Sequence, residues 1–277
     1  MQKRVGELQW QQIAVDNDDA DNKSYSNNAL WLRNVYKRFD AGHTNVALSG
    51  IEFGYDRIVY SWDDYKWYIG GVGYISGGNS KFHNNRLDIS GYGIGAYTML
   101  IDETGWFADL VFRQHFIDID NVGIKSDYHA SSINVELGKE FVFGDDTDIL
   151  QWFMKPSIEG NYIKVHGTRV GDYNVQNSVS NMLSLSVLVG PRWNFTDGKK
   201  FQFYGKIGYT FDNSDDVEVI VDGVGVKQEM FNNTFETGIG VNYRVADGST
   251  NIYFEMSSIN GADYSEISGN LGLRYEF

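Results

Sequence analysis

From about residue 28 to the end of the chain, apolar and polar side chains alternate one by one. In residues 105–113, Trp106, Ala108, Leu110 and Phe112 share one face, while Asp109 and Arg113 share the other. In 133–140, Ile133, Val135 and Leu137 oppose Asn134, Glu136, Gly138 and Glu140. In 183–195, Leu183, Leu185, Val187, Val189, Trp193 and Phe195 oppose Ser184, Ser186, Gly190, Arg192 and Asn194. Ile51, Phe53 and Tyr55 oppose Glu52, Gly54 and Asp56, and the chain ends in the same way, with Leu271, Leu273, Tyr275 and Phe277 opposite Gly272, Arg274 and Glu276. A period of two is the mark of a β-strand with one face in an apolar medium and the other in a polar one. Residues 66–77 carry aromatics on both faces, and the pattern alone does not assign them.

The alternation predicts strands near 28–39, 43–58, 66–77, 86–101, 105–118, 127–143, 149–165, 179–195, 200–212, 229–245, 249–259 and 265–277. About twelve strands is an even number, as an up-and-down antiparallel barrel requires. One set of connections is short and polar: Trp62-Asp-Asp64, Asp102-Glu-Thr-Gly105, Gly144-Asp-Asp146, Thr196-Asp-Gly198 and Ala246-Asp-Gly248. The other set reads as mostly longer, at Gly77–Asn85, Asp118–Ser126, His166–Ser178 and Asp212–Gln228. A soluble sandwich also alternates. Its strands, however, commonly stop near ~6 residues, and many of these run longer. Trp106, Trp152, Trp193 and Phe195 also sit at strand ends beside the short turns, as in an interfacial girdle. Lipid leaves no backbone group a water partner, so such a sheet must close on itself. The predicted fold is an all-β transmembrane barrel, residues 27–277, preceded by residues 1–26. Of these, 1 to about 13 read as an amphipathic helix, with Val5, Leu8 and Ile13 on one flank, and Asp16–Asn28 as a polar linker.

Composition supports this picture. The chain has 31 Gly, 18 Tyr, 17 Phe and 7 Trp but only 2 Pro, which suits long paired strands. It has no Cys, which excludes a disulfide scaffold and a thiolate metal site. The formal net charge of -14 argues against a nucleic-acid partner, which needs a basic face. Mean hydropathy is negative and no apolar run reaches 18 residues, so a transmembrane helix is not expected. Residues Met1-Gln-Lys-Arg-Val-Gly-Glu-Leu8 do not form a signal peptide, so an export signal is expected upstream. No metal cluster, phosphate-cradling loop or dinucleotide motif is found, and no cofactor is expected.

The final Leu271-Gly-Leu-Arg-Tyr-Glu-Phe277 resembles the terminal signal of outer-membrane barrels. That resemblance makes Leu273, Tyr275 and Phe277 an assembly signal read by the barrel-assembly machinery. Nearly the whole chain resembles the translocator domain of type Va autotransporters. Ala29-Leu-Trp-Leu-Arg33 resembles the first-strand W-x-R pattern, Ser49-Gly-Ile-Glu-Phe-Gly-Tyr-Asp56 the second strand, and Gly91-Tyr-Gly-Ile-Gly-Ala-Tyr97 a glycine-rich fourth strand. Met1–Leu8 resembles the helix that leads from the exported passenger into the pore. The family's barrel supports export of a passenger fused N-terminal to it, and the helix then occupies the lumen. The resemblance therefore implies a monomeric barrel among outer-membrane lipid, with its own passenger as partner.

A wholly polar-lined pore would receive such a helix. Arg33, Glu52, Asp56, Gly91, Gly93, Gly95 and Arg113 are the expected lumen positions, and acidic groups among them would pair with Lys3 and Arg4. The three glycines would offer a smooth wall to the helix. The resemblance is strongest to the self-cleaving serine-protease autotransporters of enteric bacteria. These cut between two Asn residues inside the barrel when an Asn side chain attacks its own backbone carbonyl and forms a succinimide. By local alignment their activating acids correspond to Asp109, Glu136 and Glu159, and strand parity independently turns all three inward. The scissile pair would fall immediately before Met1, and Asn27-Asn28 lies too far along to serve. Ordinary polar lining is the plainer reading of the three acids.

Two other classes compete. An outer-membrane protease needs His and Asp together at the rim. His43, His83, His115, His129 and His166 lie toward the loop side, with Asp118 and Asp120 close after His115. A phospholipase needs a Ser–His pair with an orienting group, and the sequence alone reveals none. A porin would lack the N-terminal helix.

Overall fold

The computed structural model describes residues 28–277 apart from positions 43, 63–64, 83–84, 122–123, 146–147, 171–172, 215–216, 222–223, 229–232 and 247. The expected helix and linker over 1–26, with Lys3 and Arg4, therefore lie outside the described residues. Twelve strands form the wall: β1 (Asn28–Ala41), β2 (Thr44–Trp62), β3 (Tyr65–Phe82), β4 (Asn85–Asp102), β5 (Trp106–Asn121), β6 (Ile124–Lys139), β7 (Leu150–His166), β8 (Ser178–Asn194), β9 (Lys200–Asp212), β10 (Thr234–Arg244), β11 (Thr250–Gly261) and β12 (Tyr264–Glu276). Phe141–Phe143 continues β6 and pairs with β7. Each strand pairs antiparallel with its neighbours, and β12 returns to β1 from Ala29↔Glu276 to Ala41↔Tyr264. The sheet is closed and has no edge to satisfy in lipid.

The alternation read from the sequence maps onto the wall. Leu30, Leu32, Leu110, Leu185, Ile207 and Leu271 point outward, and Ile94 is 65% exposed. A water-facing surface does not carry a continuous apolar belt of this kind. Strands of 11 to 19 residues reach or exceed the ~9–11 that cross hydrocarbon, so the ends of the longer ones project beyond it. Aromatic residues mark both boundaries. Trp106, Phe143, Trp152, Phe195 and Phe277 lie by the short turns, and Tyr36, Tyr92, Tyr162, Phe211 and Phe235 lie toward the opposite rim. β3 is resolved as well: Trp67, Ile69 and Ile75 face out, whereas Tyr68 and Val72 are buried inside.

The short-turn rim is held by local chemistry. Gly198 and Gly248 have φ of 82° and 71°, a region that a β-branched residue avoids, and each donates its N–H three residues back, to Phe195 at 3.0 Å and Val245 at 2.9 Å. The side-chain hydrogen bond from Lys199 holds the Asp197 carboxyl below the usual carboxylate range.

The other rim corrects the sequence reading. Gly77–Asn85 and Asp118–Ser126, expected as loops, are mostly strand: β3 and β4 pair up to Phe82↔Asn85, and β5 and β6 up to Asn121↔Ile124. Polarity there marks emergence from lipid, and the backbone ladder continues in water. The two remaining connections carry Thr168–Val170, Tyr173–Val175, Val217–Val221 and Val224–Gln228, which form a separate four-stranded sheet. β10 starts at Thr234 instead of 229.

Candidate functional site in the barrel lumen

Inward side chains come from alternate positions of every strand, so register decides which of them meet. Asp109 on β5 is the register partner of Glu136 on β6, and Glu136 is the partner of Glu159 on β7. The three acids thus stand side by side at one level of the wall, and all are buried. The row starts from Met99 on β4 and runs on to Ser184 on β8. Asn134 and Asn161, one inward position toward the loop rim, both donate to Glu159 Oε1, Asn161 at 2.9 Å, and Asn134 also donates to Asn161 Oδ1 at 2.7 Å. These amides orient the Glu159 carboxylate. On the turn side, Lys155 Nζ lies 5.4 Å from the centre of the Phe107 ring, within cation–π reach, and brings a buried cation near the acids. Alternation assigns Asn134, Asn161 and Lys155 a face but not a level, so the pattern alone does not bring them to the acids.

The remaining expected lumen residues also face inward. Arg33 pairs with Glu52, which accepts from Arg113 Nη1 at 3.2 Å. Asp56 receives both terminal nitrogens of Arg274 at 2.6 and 2.7 Å and the Tyr97 hydroxyl at 2.6 Å. Further round, Lys206 pairs with Glu236 and lies 3.6 Å from Glu255, and Lys37 lies 3.0 Å from Glu266.

The lumen is not wholly polar, contrary to the sequence expectation. Trp31, Tyr68, Val72, Tyr97, Met99, Ile101, Phe107 and Val111 form one buried cluster on β1, β3, β4 and β5. Small residues make room for these large inward rings. A Cβ at Gly54 would fall 2.2 Å from the Trp31 ring, at Gly70 2.2 Å from Tyr97, and at Gly138 2.4 Å from Phe107. Gly93 has the same relation to Tyr74, at 2.3 Å, and at Gly95 a Cβ would meet the Phe112 carbonyl oxygen at 2.3 Å. At Gly91 the nearest atom is the Phe116 carbonyl oxygen at 3.1 Å. The glycines of β4 therefore accommodate rings and backbone of the wall itself. Along β5, Asp109 stands between Phe107 and Val111, so the acid row begins where the apolar cluster ends.

The rival sites fare differently. Parity turns His115 into the lumen and Asp118 and Asp120 to the other face of β5, so a protease pair does not assemble there. A Ser–His contact does exist: Ser132 Oγ lies 2.9 Å from His115 Nε2, and the Tyr74 hydroxyl lies 2.6 Å from Nδ1. A phenol, not a carboxylate, backs the imidazole, and Ser132 is 0% exposed, so the hydroxyl is not placed to attack a lipid ester. No cluster of metal-ligating side chains occurs among the described residues.

At the C-terminus, Leu273 and Tyr275 face outward on β12, and Phe277, just past its end, is exposed as well. The Phe277 N–H donates to Asn28 O at 3.1 Å, which ties the last residue to the first strand.

A closed twelve-stranded wall with an apolar exterior, two aromatic girdles and a charged lumen defines an outer-membrane β-barrel. Residues 30–257 match the autotransporter beta-domain family model, and the chain belongs to that family. It is a translocator barrel of the bacterial outer membrane. The BrkA autotransporter of Bordetella pertussis is 24% identical over 269 residues, covering 89% of this chain and 26% of BrkA. The adhesin BmaC autotransporter of Brucella suis is 24% identical over 316 aligned positions, covering 99% of this chain and 9% of BmaC. The chain thus spans about a quarter or less of these relatives' length. Among solved structures, the beta domain of Bordetella BrkA superposes with a TM-score of 0.76 at 20% identity, covering 91% of this chain and all of that one. The transport unit of AIDA-I from Escherichia coli gives 0.70 at 14% identity, with both chains covered completely. The translocator domain of NalP from Neisseria meningitidis gives 0.62 at 10%, covering 98% of this chain and 96% of that one.

Proposed function

We propose that this barrel supports export of a passenger fused N-terminal to it, and that residues 1 to about 13 then occupy the lumen as a helix. The observation that carries this reading is the two-sided lumen wall. An apolar strip on β1 and β3–β5 borders an acidic row on β5–β7. Residues 1–13 are two-sided in the same sense, with Val5, Leu8 and Ile13 for the strip and Lys3 and Arg4 for the acids. Planar-bilayer conductance tests it. Deleting residues 1–26 raises single-channel conductance several-fold if they plug the pore, and an unchanged conductance overturns the plug. Exchange of both Lys3 and Arg4 for Glu lowers thermal stability and opens the pore; unchanged behaviour removes the pairing.

The acid row also supports a single-turnover cleavage within the lumen. Were an Asn to precede Met1 in a longer precursor, its side-chain amide nitrogen would attack its own backbone carbonyl carbon. A carboxylate of the row takes the proton from that nitrogen and a proton passes to the departing amine, so the peptide C–N bond breaks as the succinimide closes. Such a step consumes no water. In the full-length precursor, Asp109→Asn, Glu136→Gln and Glu159→Gln keep the passenger attached while it still reaches the cell surface. Unimpaired release in all three variants leaves the row as structural lining. Partners of the barrel, including the assembly machinery that would read Leu273, Tyr275 and Phe277, belong to the same proposal, as does a monomeric state.

A further inference from the structure

The lipid-facing wall is not smooth. Across β6–β9 it has an open dent of about 420 Å³. Gly160 on β7 forms its floor, and a Cβ placed there meets nothing within 4 Å. Ile133 and Val135 on β6, Tyr162 on β7, Leu183 on β8 and Phe211 on β9 surround it. Tyr162 and Phe211 belong to the aromatic girdle of the long-strand rim, so the dent lies just inside the hydrocarbon at that boundary.

Its upper end is polar. Lys164 stands one outward position above Tyr162, and its register partners are Ser131 and Val179, neither of them acidic. Asn181 is beside Tyr162 in register, and Asn213 joins it through a 2.9 Å backbone hydrogen bond to Asn181 O. Short turns mark the periplasmic side of such barrels, so this end faces the cell exterior and meets the outer leaflet. An apolar slot below, with an ammonium and two amides above, is complementary to an amphiphile that has a saturated chain, an anion and a hydroxylated head. Phosphorylated glycolipid of the outer leaflet has all three.

We propose that the dent seats one acyl chain of a phosphorylated, polyacylated outer-leaflet glycolipid, with Lys164 meeting a phosphate and Asn181 and Asn213 meeting the sugar. The chain fills the space Gly160 leaves, and the head holds the lipid at one azimuth of the barrel.

Native mass spectrometry of the full chain folded in detergent, titrated with short-core lipopolysaccharide, its dephosphorylated form and phosphatidylethanolamine, tests this. One lipopolysaccharide is retained in preference to phosphatidylethanolamine. Lys164→Gln weakens retention about fivefold, the worth of one Lys near an anionic lipid surface, and only for the phosphorylated form. Gly160→Leu fills the slot and weakens both glycolipid forms about tenfold, roughly the loss of two buried methylenes. Gly71→Leu, at another outward glycine with room for a side chain, leaves retention unchanged. Heat-modifiable migration on gels reports folding of each variant, and Val135→Trp closes the slot from β6 should Gly160→Leu not fold. Equal retention by wild type and the slot-filling variant, or equal retention of phosphatidylethanolamine, overturns the proposal.

Discussion

Substitution of Asp56 by Ala attacks the point where the barrel closes on itself. Asp56 lies on β2 and its partner Arg274 on β12, so their bond spans β1 at the seam between the first and last strands. Ala29, the register partner of Asp56, is small enough to let the bond pass over it. The carboxylate accepts two charge-assisted bonds from Arg274, at 2.6 and 2.7 Å, and one from Tyr97 at 2.6 Å, and the paired side chains are 1% and 2% exposed. Removing one partner of a buried pair leaves the other charge desolvated, at about 3–5 kcal/mol, or roughly two to four orders of magnitude in the folding equilibrium. Arg274→Ala is expected to cost as much. The double variant should cost less than the sum by about 1–3 kcal/mol, because the charge that each single substitution strands is then removed as well. Arg86 and Asp88 supply the control: they are 65% and 72% exposed at 3.4 Å, so breaking them costs at most about 1 kcal/mol. Urea unfolding of the barrel in micelles, followed by tryptophan fluorescence and by gel mobility, measures all four. Burial also shields the pair from salt, so the Asp56 effect persists at high ionic strength. A loss below about 1 kcal/mol, or strict additivity of the two substitutions, refutes the idea that this pair clasps the seam.

Three further outcomes are expected. Gly54→Ala places a methyl 2.2 Å from the Trp31 ring and 2.5 Å from Gly71 O; backbone cannot yield there as a flexible side chain would, so the variant loses about 1–3 kcal/mol in the same unfolding assay. Leu185→Arg puts a cation on the hydrocarbon face and costs about 2–4 kcal/mol in lipid bilayers, whereas the adjacent lumen change Ser184→Arg shows no such dependence on the lipid. Phe277→Ala lowers the amount of barrel assembled in cells but leaves the unfolding free energy of purified barrel nearly unchanged, since the ring is 51% exposed; a matching fall in both makes Phe277 a structural residue instead of an assembly mark.

Alternation alone tells which face of nearly every strand meets lipid. That follows from a period of two, which any register preserves, and it turned Asp109, Glu136, Glu159, Arg113 and Glu52 inward without a coordinate. The short turns were equally plain, because Thr196-Asp-Gly198 and Ala246-Asp-Gly248 carry the residue that a positive φ demands. At the other rim the same logic failed. Gly77–Phe82 turns polar and glycine-rich yet remains paired, since leaving lipid changes the side-chain preference and not the need for backbone hydrogen bonds. Level was invisible as well. Asp109, Glu136 and Glu159 are separated by 27 and 23 positions, and only the stagger of β5, β6 and β7 brings them abreast. The apolar strip in the lumen was hidden for a related reason: Trp31, Tyr97 and Phe107 look misplaced on a polar face until the closed wall sets each ring over a glycine of the next strand. Alternation is a property of one strand, but neighbours across a barrel exist only once the strands are aligned and the sheet is closed.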